Sequence, residues 1–315
     1  MRFHAARILC ALGAVSLCPL HSLSGAEVRV SFLQETNSLS QTVKFLIDSG
    51  CTKQGTTVFE NAVRQYFKEP FTFDLSRFPK PTNGFYSFAS PRDLIAAFPK
   101  KFPEPSLLSS FNCTDAVIAL ADGRLRTSAR PDDVIGPILV TTYRTNHEVV
   151  GFAATPRDAF NLGWASWYRE VTDPLFPASM RDARMCLSPF LLQWYLLPLS
   201  ADESTVEARV LEVLRTTWKR EGLEFPSQFE VVLLFGADVS EHTIRTCHTG
   251  LLIEDKHGCT YIEKAGKRGP FLRLDLDERS DLMPWLGVPV ANCTNSSCYH
   301  FATFGDRTIK KISRQ

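Results

Sequence analysis

Near Gly222 the spacing of apolar residues changes period, and this change limits the folds open to the chain. Upstream, Val206, Val210, Leu211, Val213, Leu214 and Trp218 recur every three or four residues, as on one face of a long helix. Ser204 and Glu207 precede them in capping-box spacing, in which each side chain bonds the other's backbone amide. Downstream the pattern is that of strands, at 229–235, 246–253, 260–264, 271–274 and 298–304. Helices followed by antiparallel strands predict an α+β architecture, because a parallel sheet would need strands and helices in alternation.

The earlier part of the chain reads as mostly helical. Thr57 and Glu60 repeat the capping spacing ahead of Val58, Ala62, Val63, Tyr66 and Phe67. Prolines crowd residues 70–105, which predicts irregular surface structure around a short helix at 92–98 and an internal boundary. Further helices are expected at 112–120, ended by Gly123, at 155–170 and at 190–197, the last capped by Ser188 with Pro189 in its first turn. The most apolar run, 185–199, is shorter than a bilayer needs and holds Pro189 and Pro198, so no membrane crossing is expected.

The first 26 residues are set apart from this pattern. Arg2 and Arg7 open them, an apolar stretch covers 8–17, and Ser24-Gly25-Ala26 offers small residues for cleavage, which predicts a secretory signal cut after Ala26 and a secreted or periplasmic protein. Leu17 before Cys18 argues against a lipid anchor, which needs a small residue there. Removing Cys10 and Cys18 from nine cysteines leaves seven, an odd number in a compartment where thiols pair. Cys293 with Cys298, and Cys247 with Cys259, are geometrically open to bridging, although spacing does not fix connectivity. Lys+Arg 35 against Asp+Glu 34 leaves a net charge of +1, which excludes a nucleic-acid partner bound through phosphate neutralisation.

Two segments carry groups suited to nucleophilic chemistry. Cys113, in Phe111-Asn112-Cys113-Thr114-Asp115, falls at a predicted helix start, where unpaired N–H groups and the helix dipole favour a thiolate. His248 opens the most strand-like segment, and Gly250 two residues on permits close approach to the strand. If the return through Asp255-Lys256-His257-Gly258 pairs position 253 with 258, His248 stands opposite Glu263, which would orient the imidazole. A slip of one residue would bring Lys264 to that face instead.

Other groups compete for attention. Asn112-Cys113-Thr114 also reads as a glycosylation sequon, as do the triplets at Asn292 and Asn295. Cys247, His248, His257 and Cys259 crowd one hairpin, but neighbours on a strand point to opposite faces and the spacing fits no common zinc site, so neither metal nor cofactor is expected. Trp164, Trp167 and Tyr168 have the spacing of a glycan-stacking helix face, with core packing the better reading. Lys264, Lys267, Arg268 and Arg273 read as the charges of a solvated strand edge.

Taken together, Asn-Cys at a helix start, then His-Thr-Gly-Leu-Leu-Ile at 248–253, Tyr-Ile-Glu-Lys-Ala-Gly at 261–266 and Gly-Pro-Phe at 269–271 resemble the NlpC-like branch of the papain-fold cysteine peptidases and amidases, and within it a set of uncharacterised secreted bacterial proteins. The resemblance covers residues 108–125 and 245–305. It implies a papain-like core at 106–315, a Cys helix packed on an antiparallel sheet, with a helical insertion at about 130–225 and a helical, proline-rich region at 27–105 before it. It also implies Cys113 as nucleophile, His248 as base and Glu263 as the orienting residue, with Asn292 and His300 as substitutes for the third. The expected activity is hydrolysis of amide or peptide bonds in peptidoglycan or related envelope peptides. The separation of 135 residues between Cys113 and His248 exceeds that of compact NlpC-like domains, and the Cys-Gly-Ser-Cys-Trp signature of papain-like peptidases is absent. A non-catalytic exported binding or structural protein on the same core, and a transglutaminase-like acyltransferase, remain alternatives.

Overall fold

A computed structural model describes residues 28–68, 73–76, 78, 83–98, 111–128, 175–191, 194–196, 205–220, 222–239, 243–265, 269–291 and 298–312. In chain order they form β1 (Val28–Phe32), α1 (Thr36–Asp48), α2 (Lys53–Tyr66), β2 (Tyr86–Phe88), α3 (Pro91–Ala97), α4 (Cys113–Leu120), α5 (Ala178–Leu191), β3 (Trp194–Leu196), α6 (Val206–Arg220), β4 (Glu230–Asp238), β5 (Thr243–Asp255), β6 (Gly258–Lys264), β7 (Phe271–Leu276), α7 (Leu282–Ala291), β8 (Cys298–Phe304) and β9 (Thr308–Ile312). The fold is mixed α+β. The strands make one sheet in the order β2-β1-β7-β6-β5-β4-β8-β9, with β3 beside β5, and all of these pairings are antiparallel.

β4 shows why the C-terminal part reads as strand. Val231, Leu233, Phe235 and Ala237 join the core formed with α1, α2, α4, α5 and α6, while Val232 and Leu234 face the opposite core with α3 and α7. A strand buried on both faces carries apolar residues at nearly every position. β1 and β2 extend the sheet from the N-terminal region through pairing of β1 with β7, so the sheet is not confined to the end of the chain.

β5 contains an irregularity with consequences for the site. Leu234 pairs with His248 but Phe235 pairs with Thr246, so Cys247 is an extra residue, a β-bulge. Strict alternation would send Ile244 and Leu251, seven residues apart, to opposite faces, yet both belong to the same core. The bulge reverses the alternation between them. Among the described residues no helix is long and apolar enough to cross a membrane.

Several local expectations are corrected. α2 begins at Lys53, with Thr52 as its cap accepting from the Gly55 amide at 3.0 Å, so Thr57 lies inside the helix and donates to the Lys53 carbonyl at 2.8 Å. The helix expected at 190–197 is instead the end of α5, followed by β3. Buried Met180, Arg184 and Leu187 supply a helical stripe that starts earlier than the apolar run. Lys264 and Arg273 are not on a solvated edge, since β6 and β7 are interior strands. Lys264 is buried with its Nζ 5.3 Å from the Tyr66 ring centroid and 5.8 Å from that of Phe271, and Arg273 lies over Phe45 and Phe85. The expected helix at 155–170 with Trp164, Trp167 and Tyr168, the signal segment, Lys267, Arg268, Asn292, Asn295 and Cys293 lie outside the described residues.

Candidate active site

The start of α4 is a two-way cap. The Asn112 side chain accepts from the amides of Thr114 at 2.8 Å and Asp115 at 3.2 Å, and the Asp115 carboxylate accepts from the Asn112 amide at 3.1 Å. This arrangement satisfies N–H groups that a helix start leaves without partners, and removing such a cap costs about 0.5–2 kcal/mol. It fixes the direction in which Cys113, the first residue of the helix, projects.

Asp115 has a second partner. Arg184 of α5 donates from Nε to its Oδ1 at 2.9 Å, and the guanidinium carbon stands 5.0 Å from the centroid of Phe176. Phe176 stacks on Phe111, two residues before Cys113, with centroids 5.8 Å apart. From the other side, Gly55 of α2 packs so closely that a Cβ there would lie 2.0 Å from the Ala119 carbonyl oxygen. Thr52 donates to Asp122 just beyond the end of α4 at 2.8 Å. The cysteine helix is thus held at both ends and along one side.

β5 brings His248 to this helix start. Cys113 is partly exposed as a residue, whereas His248 is 2% exposed. Burial pushes the Cys113 thiol up, but the adjacent His248 charge, a hydrogen bond from His248 and the hydroxyl and main chain of Thr249 outweigh it, and the thiol falls below its usual range. Burial alone would lower His248. The negative charges of Cys113 and Glu263 and its hydrogen bonds to both raise it instead. The pair is therefore disposed to exist as thiolate and imidazolium.

Glu263 reaches His248 by a register different from the expected one. β5 pairs with β6 as Asp255 with Gly258, Ile253 with Thr260 and Leu251 with Ile262. The turn is tighter because the Asp255 carboxylate accepts the His257 amide at 2.7 Å, leaving two residues between the paired ends. Continued along the strands, this register sets Gly250 opposite Glu263 and makes His248 a diagonal neighbour. The displacement is two residues, so the carboxylate keeps its face, and a glutamate is long enough to bridge the diagonal. Glu263 Oε2 bonds His248 Nε2, with the Glu263 side chain 12% exposed. That bond occupies Nε2 and leaves Nδ1 as the other ring nitrogen.

His300 does not join this group through its strand position, since β8 is separated from β5 by β4. Cys247 and Cys259 do not bridge: Cys259 is opposite Glu254, seven residues along β5 from Cys247, or about 23 Å of extended strand. Cys113 carries no disulfide, and burial pushes the thiols of Cys51 and Cys259 up to about 12. Among the described residues no cluster of His, Cys, Asp and Glu has the makings of a metal site.

Two contributors escape a reading of the sequence: Arg184 and Thr249. Arg184 acts across 69 positions and leaves no local trace. Asp115 did leave one, as the third helical residue after an Asn cap. No family model, curated protein or solved structure matches this chain.

Proposed function

We propose that this protein is an exported cysteine hydrolase that cleaves amide or peptide bonds by acyl transfer, on a papain-like arrangement of a cysteine helix against an antiparallel sheet. The observation that carries this reading is the juxtaposition of a partly exposed Cys113 at a capped helix start with a buried His248 whose far nitrogen is bonded to Glu263. A structural cysteine needs none of these three features.

In the proposed reaction the Cys113 thiolate attacks the carbonyl carbon, and the electron pair of the C=O bond moves to oxygen. The Cys113 main-chain N–H, at the helix start and not taken by the Asn112 side chain, serves as donor to the developing charge. The His248 imidazolium gives its proton to the leaving nitrogen as the C–N bond breaks, which leaves a thioester and a neutral imidazole. That imidazole then takes a proton from water, whose oxygen attacks the thioester. The C–S bond then breaks, releasing the acid and restoring the Cys113 thiolate beside the His248 imidazolium. Glu263 holds the ring throughout.

The predicted export signal and the resemblance to NlpC-like proteins support peptide stems or crosslinks of a bacterial wall as the substrate class. Incubation of purified protein and its Cys113→Ala variant with peptidoglycan fragments tests the proposal by mass spectrometry of the products. New amine termini released only by the native cysteine are expected, together with an acyl adduct on Cys113. Intact fragments in the presence of folded native protein would overturn the substrate class, and transfer to an added amine in place of hydrolysis would make it an acyltransferase.

A further inference from the structure

Tyr261 is a buried titratable residue that the proposed reaction does not use. Its ring lies across Gly250: a Cβ at position 250 would stand 2.2 Å from the Tyr261 hydroxyl oxygen and 2.3 Å from the ring carbon that bears it. Real carbons do not approach so closely, so the phenol occupies the space that a side chain at position 250 would need. The register puts Gly250 opposite Glu263, and the hydroxyl lies beside that carboxylate with no well-formed hydrogen bond among the described residues. Leaving a buried hydroxyl unpaired costs about 1–3 kcal/mol, and phenylalanine would fill the same volume without that cost. The hydroxyl hydrogen turns about the C–O bond, and the Glu263 carboxylate beside it is a strong acceptor.

We propose that Tyr261 is a positioning residue of the thiol site: its hydroxyl donates to the Glu263 carboxylate and holds it turned towards His248, and position 250 is glycine because that hydroxyl stands there. The inference rests on the Cys113–His248–Glu263 reading. Burial, then the charges of Glu263 and Cys113, keep the phenol protonated, so it remains a donor at every pH at which the site works. The titratable groups that act on it are Glu263 on its own β6 and Cys113 on α4, and Glu263 in turn bonds His248 on β5.

The test is the rate of Cys113 alkylation by iodoacetamide against pH, in wild type, Tyr261→Phe and Glu263→Gln. A first rise marks formation of the thiolate. A second, at higher pH, marks loss of the imidazolium proton. In Y261F the second step is expected to move to lower pH by about one unit, because a carboxylate turned away from the ring no longer supports its charge. A phenylalanine that merely fills the core would leave the step in place and keep or raise the thermal midpoint. A step that moves in E263Q but not in Y261F removes Tyr261 from the site and leaves the three-residue reading standing. A step unmoved in both variants overturns the role of Glu263 and the positioning role together.

Discussion

Arg184 and Asp115 form a buried ion pair between α5 and the first turn of the cysteine helix, with Nε 2.9 Å from Oδ1 and side chains 1% and 0% exposed. The same carboxylate accepts the Asn112 amide. Arg184→Met leaves Asp115 charged and short of a partner in the core, and is expected to cost about 3–5 kcal/mol in urea unfolding. The double variant Arg184→Met, Asp115→Asn loses much less than the sum of the two single changes, since no charge is then left alone.

Gly55 offers a test of how tightly α2 holds the cysteine helix. A methyl group at this position meets the Ala119 carbonyl oxygen, a backbone atom that cannot swing away. Gly55→Ala is expected to destabilise the protein by about 1–3 kcal/mol, although alanine is the better helix former. Denaturant midpoints measure the sign as well as the size.

The thiols are expected to differ in reactivity. Cys113 lies below the usual thiol range, so near neutral pH it is alkylated well ahead of Cys51 and Cys259, whose values near 12 keep them protonated. In His248→Gln the main lowering influence disappears and only burial and Thr249 remain, so the pH of half-maximal labelling rises. Peptide mapping after brief iodoacetamide treatment identifies the labelled residue at each pH.

The ionised pair also links pH to stability. The His248 value is raised on folding, so its contribution is complete below the unfolded imidazole value and is lost as pH climbs through the folded value. The Cys113 value is lowered, so its contribution disappears as pH falls through the folded value. Opposed shifts on adjacent groups predict that His248→Gln flattens the pH dependence of unfolding free energy between those limits. Denaturation at a series of pH values measures this.

Local signals account for what could be read from the residues alone. The Cys113 helix, the α6 stripe and β8 follow from spacing over less than twenty positions, and their boundaries lie within a few residues of expectation. Tertiary arrangements were harder to see. The turn at Asp255 shifted the hairpin by two positions through a single side-chain bond, and Glu263 kept its place only because that number is even. The apolar run at 185–199 suits a helix or a strand, and the structure divides it between α5 and β3. β1 is five residues long and belongs to the sheet through a partner more than 230 positions away, which no periodicity reveals.

The extra residue at Cys247 changes what would happen if the central strand slid along its neighbour. Ile244 on one side of it and Leu251 and Ile253 on the other all rely on that single insertion to reach the same core. A slide by one position would turn all three away from that core together, at the same moment that it turned the imidazole. The aim of the ring is therefore protected by the apolar contacts of a whole sheet face, a form of error correction in which a mistake at the reactive centre is penalised far away from it.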